Sequence, residues 1–179
     1  CQRVDLNPLP LKTIARELER AQATPPQEAL ELARLSRGRV GWALEASRDP
    51  RVLVDYSVQV ERVASLVEAG LEERFSYAAE VAARFSRGRE EALESLKVAV
   101  DWWRDMLLVK EGMGDLVPDA QGREALERGA HWISTPQVGE VIKRTQETMD
   151  CLEANVNPRL ALEVLMLSLP RWEGQGGPD

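Results

Sequence analysis

With 179 residues, 44% of them apolar and 30% charged, the chain is long enough to bury a core of its own. A net charge of −7 and an isoelectric point near 5.0 argue against a broad nucleic-acid-binding face, though not against a local basic patch. No apolar run approaches the ~20 residues of a membrane span. Cys1 and Cys151 are too few for a disulfide framework or a zinc site, so the expectation is a cytoplasmic protein without a membrane partner.

The first stretch, Cys1–Asn7, alternates loosely and reads as a short strand. A lone edge strand has nothing to pair with, so the chain is expected to be a piece of something longer. Pro8 and Pro10 break this run and start a helix with Leu11, Ile14, Ala15 and Leu18 on one face. Thr24-Pro25-Pro26-Gln27 reads as a capped helix start, Thr24 as cap and Gln27 three residues on. The second helix carries Ala29, Leu32, Ala33 and Leu35 and stops at Ser36-Arg37-Gly38, where Gly38 suits a left-handed closing residue. A short third helix follows with Val40, Trp42, Ala43 and Leu44.

Asp49-Pro50 is a second cap-plus-proline start and the expected domain boundary. Val52, Leu53, Tyr56, Val60, Val63, Leu66 and Val67 recur at helical spacing up to Gly70. The next helix, Glu72–Phe85, carries Phe75, Ala78, Ala79, Val81 and Ala82 and ends at Ser86-Arg87-Gly88. ARLSRGR at 33–39 thus returns as ARFSRGR at 83–89; nothing outside these junctions recurs, so this reads as one helix stop used twice, not a repeat fold.

The helix at Glu90–Gly112 has two apolar stripes: Leu93, Leu96, Val100, Trp103 and Leu107, and Ala92, Ala99, Trp102, Met106 and Val109. Together they leave only a narrow polar strip of Glu94, Lys97, Asp101, Arg104, Asp105 and Glu111. So wide an apolar arc marks the centre of a bundle. After a loop at Gly112–Asp119 come a weaker helix, Ala120–Trp132, and a long one capped at Ser134/Thr135-Pro136, with Val138, Val141, Ile142, Thr145, Met149 and Leu152 inward. Asn155 and Asn157 read as a helix stop and the next cap. Asn157-Pro158 opens the last helix, PRLALEVLMLSLP, apolar nearly all round and expected to be buried. Residues 171–179 read as a flexible tail.

Candidate chemistry is sparse. His131, the only histidine, sits beside Trp132 in an amphipathic stretch and reads as a surface or half-buried packing residue. Asp101 and Asp105 lie a turn apart, but Arg104 makes an ordinary i,i+3 pair with Asp101, worth a few tenths of a kcal/mol. No helix supplies the Glu-x-x-His of a di-metal bundle, so no metal is expected. Arginines beside a helix start can hold a phosphate; in the SRGR segments they read instead as complementing a helix C-terminal dipole that the glycine closes. Phosphate-loop, nucleophile-elbow and Cys-x-x-Cys motifs do not occur.

Four stretches carry a resemblance. CQRVDLNPLP resembles the end of the ATPase domain in clamp-loader subunits, where a Ser-Arg-Cys motif leads into a strand and a Pro-Leu turn. LARLSRGRVGWAL at 32–44 resembles their third lid helix. WWRDMLLVKEG at 102–112 and LEANVNPRLALEVLMLSLP at 152–170 resemble their collar domain, the last being the most specific. Over essentially the whole chain to about Arg171, the sequence is most similar to the delta-prime type of bacterial DNA polymerase III clamp-loader subunit.

The resemblance implies an all-α fold: a remnant of the ATPase domain at 1–9, a three-helix lid at 10–48, a helical collar at 49–170 and a tail at 171–179. The arginine finger of such subunits precedes the motif's Cys, which corresponds to Cys1, so it falls just outside this chain. ATP-hydrolysing relatives have Gly-Ser-x-Arg-Asp-Ala-Leu in the lid. Laid over Gly38-Arg39-Val40-Gly41-Trp42-Ala43-Leu44, the sensing arginine becomes Gly41, which implies a non-hydrolysing subunit with no cofactor in this part and no active site. A nucleotide role for Arg37 and Arg39 stays open. The implied partners are other loader subunits (gamma/tau and delta) through the collar, and indirectly the sliding clamp and primer–template DNA. Candidate interface residues are Trp102, Met106, Val109, Asn155, Asn157 and Arg159. The alternatives are the lid and collar of a gamma/tau-type ATPase motor, or a helical scaffold unrelated to replication.

Overall fold

The computed structural model describes residues 7–118 and 122–171. Within them the regular structure is all helical, with no strand. Most of the strand-like run at Cys1–Asn7, the start of the helix read from Ala120, and the tail beyond Arg171 lie outside the described residues. The chain divides into two compact units, Cys1–Ser57 and Val58–Asp179.

The first unit holds α1 (Leu11–Gln22), α2 (Pro26–Ser36), α3 (Val40–Arg48) and the opening turns of α4 (Pro50–Ser65). Ile14, Ala15 and Leu18 of α1 meet Ala29, Leu32 and Ala33 of α2 and Ala43 and Ala46 of α3 in one core. Each large side chain so buried is worth roughly 1.5–3 kcal/mol over its exposed state. Val52 and Leu53 of α4 pack on this core, and Trp42 meets Tyr56 edge-on at 5.5 Å. Asp49 caps α4 as its sequence suggests, its Oδ1 accepting the Arg51 N–H at 2.9 Å. Thr24 does not cap α2. The helix starts at Pro26 after Pro25 in an extended conformation (φ −55°, ψ 143°), with no side-chain cap. The second proline moves the start one residue on, and Thr24 and Gln27 are left out of register for a capping box.

The two SRGR segments differ. In the first, Arg37 (φ 50°) and Gly38 (φ 92°) are both left-handed. The Leu9 N–H donates to the Gly38 carbonyl at 3.1 Å, and a Cβ on Gly38 would lie 2.4 Å from the Cβ of Pro8. In the second, Gly88 is extended (φ −172°) and joins two helices directly, and a Cβ there would meet nothing within 4 Å. The shared letters encode two backbone paths, and only at the first does the chain press on the glycine itself.

The second unit holds the rest of α4, then α5 (Leu71–Arg87), α6 (Arg89–Lys110), a 3₁₀ turn at Gly114–Leu116, α7 (Arg123–Trp132), α8 (Thr135–Glu153) and α9 (Pro158–Ser168). α6 packs against α5, α7, α8 and the 3₁₀ turn, the central place expected of it. Leu96, Ala99, Trp102, Trp103 and Met106 are all buried, and the two indoles meet edge to face at 5.1 Å. Gly129 lets α7 approach closely: a Cβ there would lie 2.5 Å from Met106 Cε. Asp105, expected on the polar strip, is buried at 6% exposure. With neighbours on so many sides, α6 keeps a narrower wet strip than its own periodicity indicates. Ser134 and Gln137 form a full capping box at the start of α8.

In α5 the buried stripe is Arg74, Tyr77, Ala78 and Val81; of the residues read from the sequence Ala78 and Val81 lie on it, while Phe75, Ala79 and Ala82 are half-buried. The Arg74 guanidinium donates to the carbonyls of Leu169 (3.1 Å) and Pro170 (2.6 Å) just past α9. Burial, with the charge of Arg171, lowers its pKa. Burial pushes the Tyr77 phenol up to about 12, against the pull of Arg84.

Gly38→Ala should cost about 2 kcal/mol or more in urea unfolding, combining a left-handed alanine with the clash at Pro8. Gly88→Ala should stay within about 0.5 kcal/mol of the wild type, as the lost helix-cap preference offsets the less flexible unfolded chain. Equal losses at both sites would refute the difference in backbone. For Tyr77, the folded pKa lies above the unfolded value of about 10. Its contribution is therefore complete below pH 10 and lost as pH rises towards 12. Stability should fall more steeply over that range in the wild type than in Tyr77→Phe. The phenolate absorbance that separates the two proteins should emerge only near pH 12.

Candidate subunit-docking surface

The corner between α8 and α9 is built by two asparagines. The Val156 N–H returns to the Cys151 carbonyl at 3.0 Å, closing α8 around Asn155, which is left-handed (φ 60°). Asparagine tolerates this conformation better than most residues. The Asn155 side-chain oxygen accepts a hydrogen bond from Arg89 at the start of α6. Asn157 then caps α9, its Oδ1 accepting the Leu160 N–H at 3.1 Å, with Pro158 in the first turn. Both asparagines do what their place in the sequence suggests.

α9 packs on α5 and α8 through Leu162, Leu165 and Met166, with Leu169 buried just beyond. Leu160, Val164 and Leu167, at four- and three-residue steps, are 58%, 58% and 50% exposed. At ~3.6 residues per turn they lie on the face opposite the buried one. Val156, in the corner before α9, is 41% exposed, and Arg159 pairs with Glu163 at 2.8 Å on the helix. Among the described residues nothing covers the stripe. The expectation that α9 is buried all round is therefore corrected: its own chain supplies neighbours for one face only.

Of the residues singled out from the sequence, Trp102 and Met106 are covered by their own unit, and Val109 is half-buried. Asn155, Asn157 and Arg159 are exposed and flank the α9 stripe. The sequence reading missed Leu160, Val164 and Leu167 as exposed positions. It also missed Arg74, whose signal was legible: it stands three residues before Tyr77, four before Ala78 and seven before Val81, inside an apolar stripe.

In the first unit, Gly41 is exposed in the first turn of α3, with open space where a side chain would stand. Arg39 donates from Nε to the Ser36 carbonyl at 3.0 Å, and its guanidinium lies 5.9 Å from the centre of the Trp42 ring. Arg37 closes α2. His131 is exposed in the last turn of α7. Among the described residues no group of three or more His, Cys, Asp and Glu could hold a metal ion, and no helix is long and apolar enough to cross a membrane. Comparison with family models, curated proteins and solved structures gives no match.

Proposed function

We propose that this chain is the lid and collar part of a clamp-loader subunit of the delta-prime type, an assembly component that does not itself hydrolyse ATP. The observation that carries the reading is the apolar stripe Leu160, Val164 and Leu167, exposed opposite the buried face of α9. It lies in the segment 152–170 that most resembles a clamp-loader collar. A helix presenting apolar side chains on both faces has a use for the outer one in an assembly. Two further features agree with the reading: a three-helix unit precedes the α5–α9 bundle, and the position where a motor subunit carries its sensing arginine is the exposed Gly41. In this reading the α9 face docks on collars of neighbouring loader subunits, and the lid passes on the nucleotide-driven motion of the ring around it.

Light scattering after size exclusion, with the chain and gamma/tau collar fragments at tens of micromolar, should reveal a complex. Val164→Glu, which puts a charge at the centre of the stripe, should weaken it tenfold or more with the helical circular dichroism unchanged. Leu116→Glu, at another exposed leucine, should not weaken it. The absence of any wild-type complex would sink the proposal.

A further inference from the structure

Arg74 is only 2% exposed, and a buried guanidinium is costly. It is tolerated only where its N–H groups find partners. What Arg74 adds beyond filling space is direction. Its two terminal nitrogens reach the carbonyls of Leu169 and Pro170, immediately past the last turn of α9. These carbonyls belong to the chain that leaves the helix, so the guanidinium ties down that segment, and its charge lies near the negative end of the helix dipole. Leu169 is 5% exposed and Pro170 half-buried, so the Leu169 carbonyl above all depends on a donor from the protein.

α9 has 11 residues, short of the ~12–15 at which an isolated helix is even marginally stable. It stays helical because it is docked. Asn157 and the corner around Asn155 fix its beginning, and Arg74 fixes its end. From this geometry we infer that Arg74 is a positioning residue: it clasps the C-terminal end of α9 and so holds the outward stripe in the orientation a partner reads. The role in docking rests on the proposed clamp-loader reading; the clasp itself does not.

The test combines site-resolved amide hydrogen exchange with binding to the gamma/tau collar fragment, for the wild type, Arg74→Met, Arg74→Lys, Val164→Glu and the Arg74→Met/Val164→Glu pair. In Arg74→Met, amides in the second half of α9 should exchange at least tenfold faster, while those in α6 and α8 change much less. Binding should fall at least tenfold, and Val164→Glu should add little on the Arg74→Met background, because α9 is then already misplaced. Arg74→Lys, which keeps a cationic donor and guards against a variant that simply fails to fold, should recover part of both losses. Equal acceleration through α5, α6, α8 and α9 would reduce Arg74 to a general stability residue and overturn the inference. A loosened α9 with unchanged binding would overturn the positioning role. If the wild type binds no collar fragment, the clamp-loader reading fails, and the exchange pattern alone decides whether the clasp exists.

Discussion

The second unit depends on the removal of α6 from water over most of its circumference. Its nine buried positions include Ser95 and Asp105 as well as both tryptophans, so polar groups are drawn inside with the apolar ones. Each needs a partner there. Ser95 has two, accepting from Arg84 at 2.7 Å and donating to the Glu91 carbonyl at 3.0 Å. The close approach of α7 turns on Gly129, since any side chain at that position would displace Met106. Once α6 is enclosed by α5, α7 and α8, the remaining helix, α9, has only the outer surfaces of α5 and α8 to pack on. That is why it keeps an open face.

Arginine serves three different ends in this molecule. Arg74 directs its charge at backbone carbonyls just past a helix end, inside the protein. Arg39 lies at a half-buried turn, against a carbonyl and an indole. The exposed pairs Arg144–Glu140 and Arg159–Glu163 belong to the class of surface ion pairs that each contribute at most about 0.5 kcal/mol. The residue type says little about the role; the dielectric around it and the groups it faces say most.

The local chemistry of the chain was legible before any fold was known. The caps at Asp49, Ser134 and Asn157, the helix stop at Asn155 and the span of α6 all follow from short-range hydrogen bonding and from the 3.6-residue period. The centrality of α6 was legible too, because a helix apolar over a wide arc needs neighbours on several sides. The prolines at 25 and 26 are the local exception, since either of them suits a first turn and the letters alone do not choose between them.

What only the tertiary structure decided is which apolar faces the chain covers itself. Periodicity shows that Trp102, Met106, Leu160 and Val164 all stand on apolar stripes; it does not say that the first two are enclosed and the last two exposed. The same limit explains Arg74, whose charge hides its place on a buried stripe, and the two SRGR segments, of which only the first has Pro8 close against its glycine. Helix type and helix ends are set within a few residues along the chain. Exposure is set by elements brought together from distant parts of it, and the candidate docking surface is a matter of exposure.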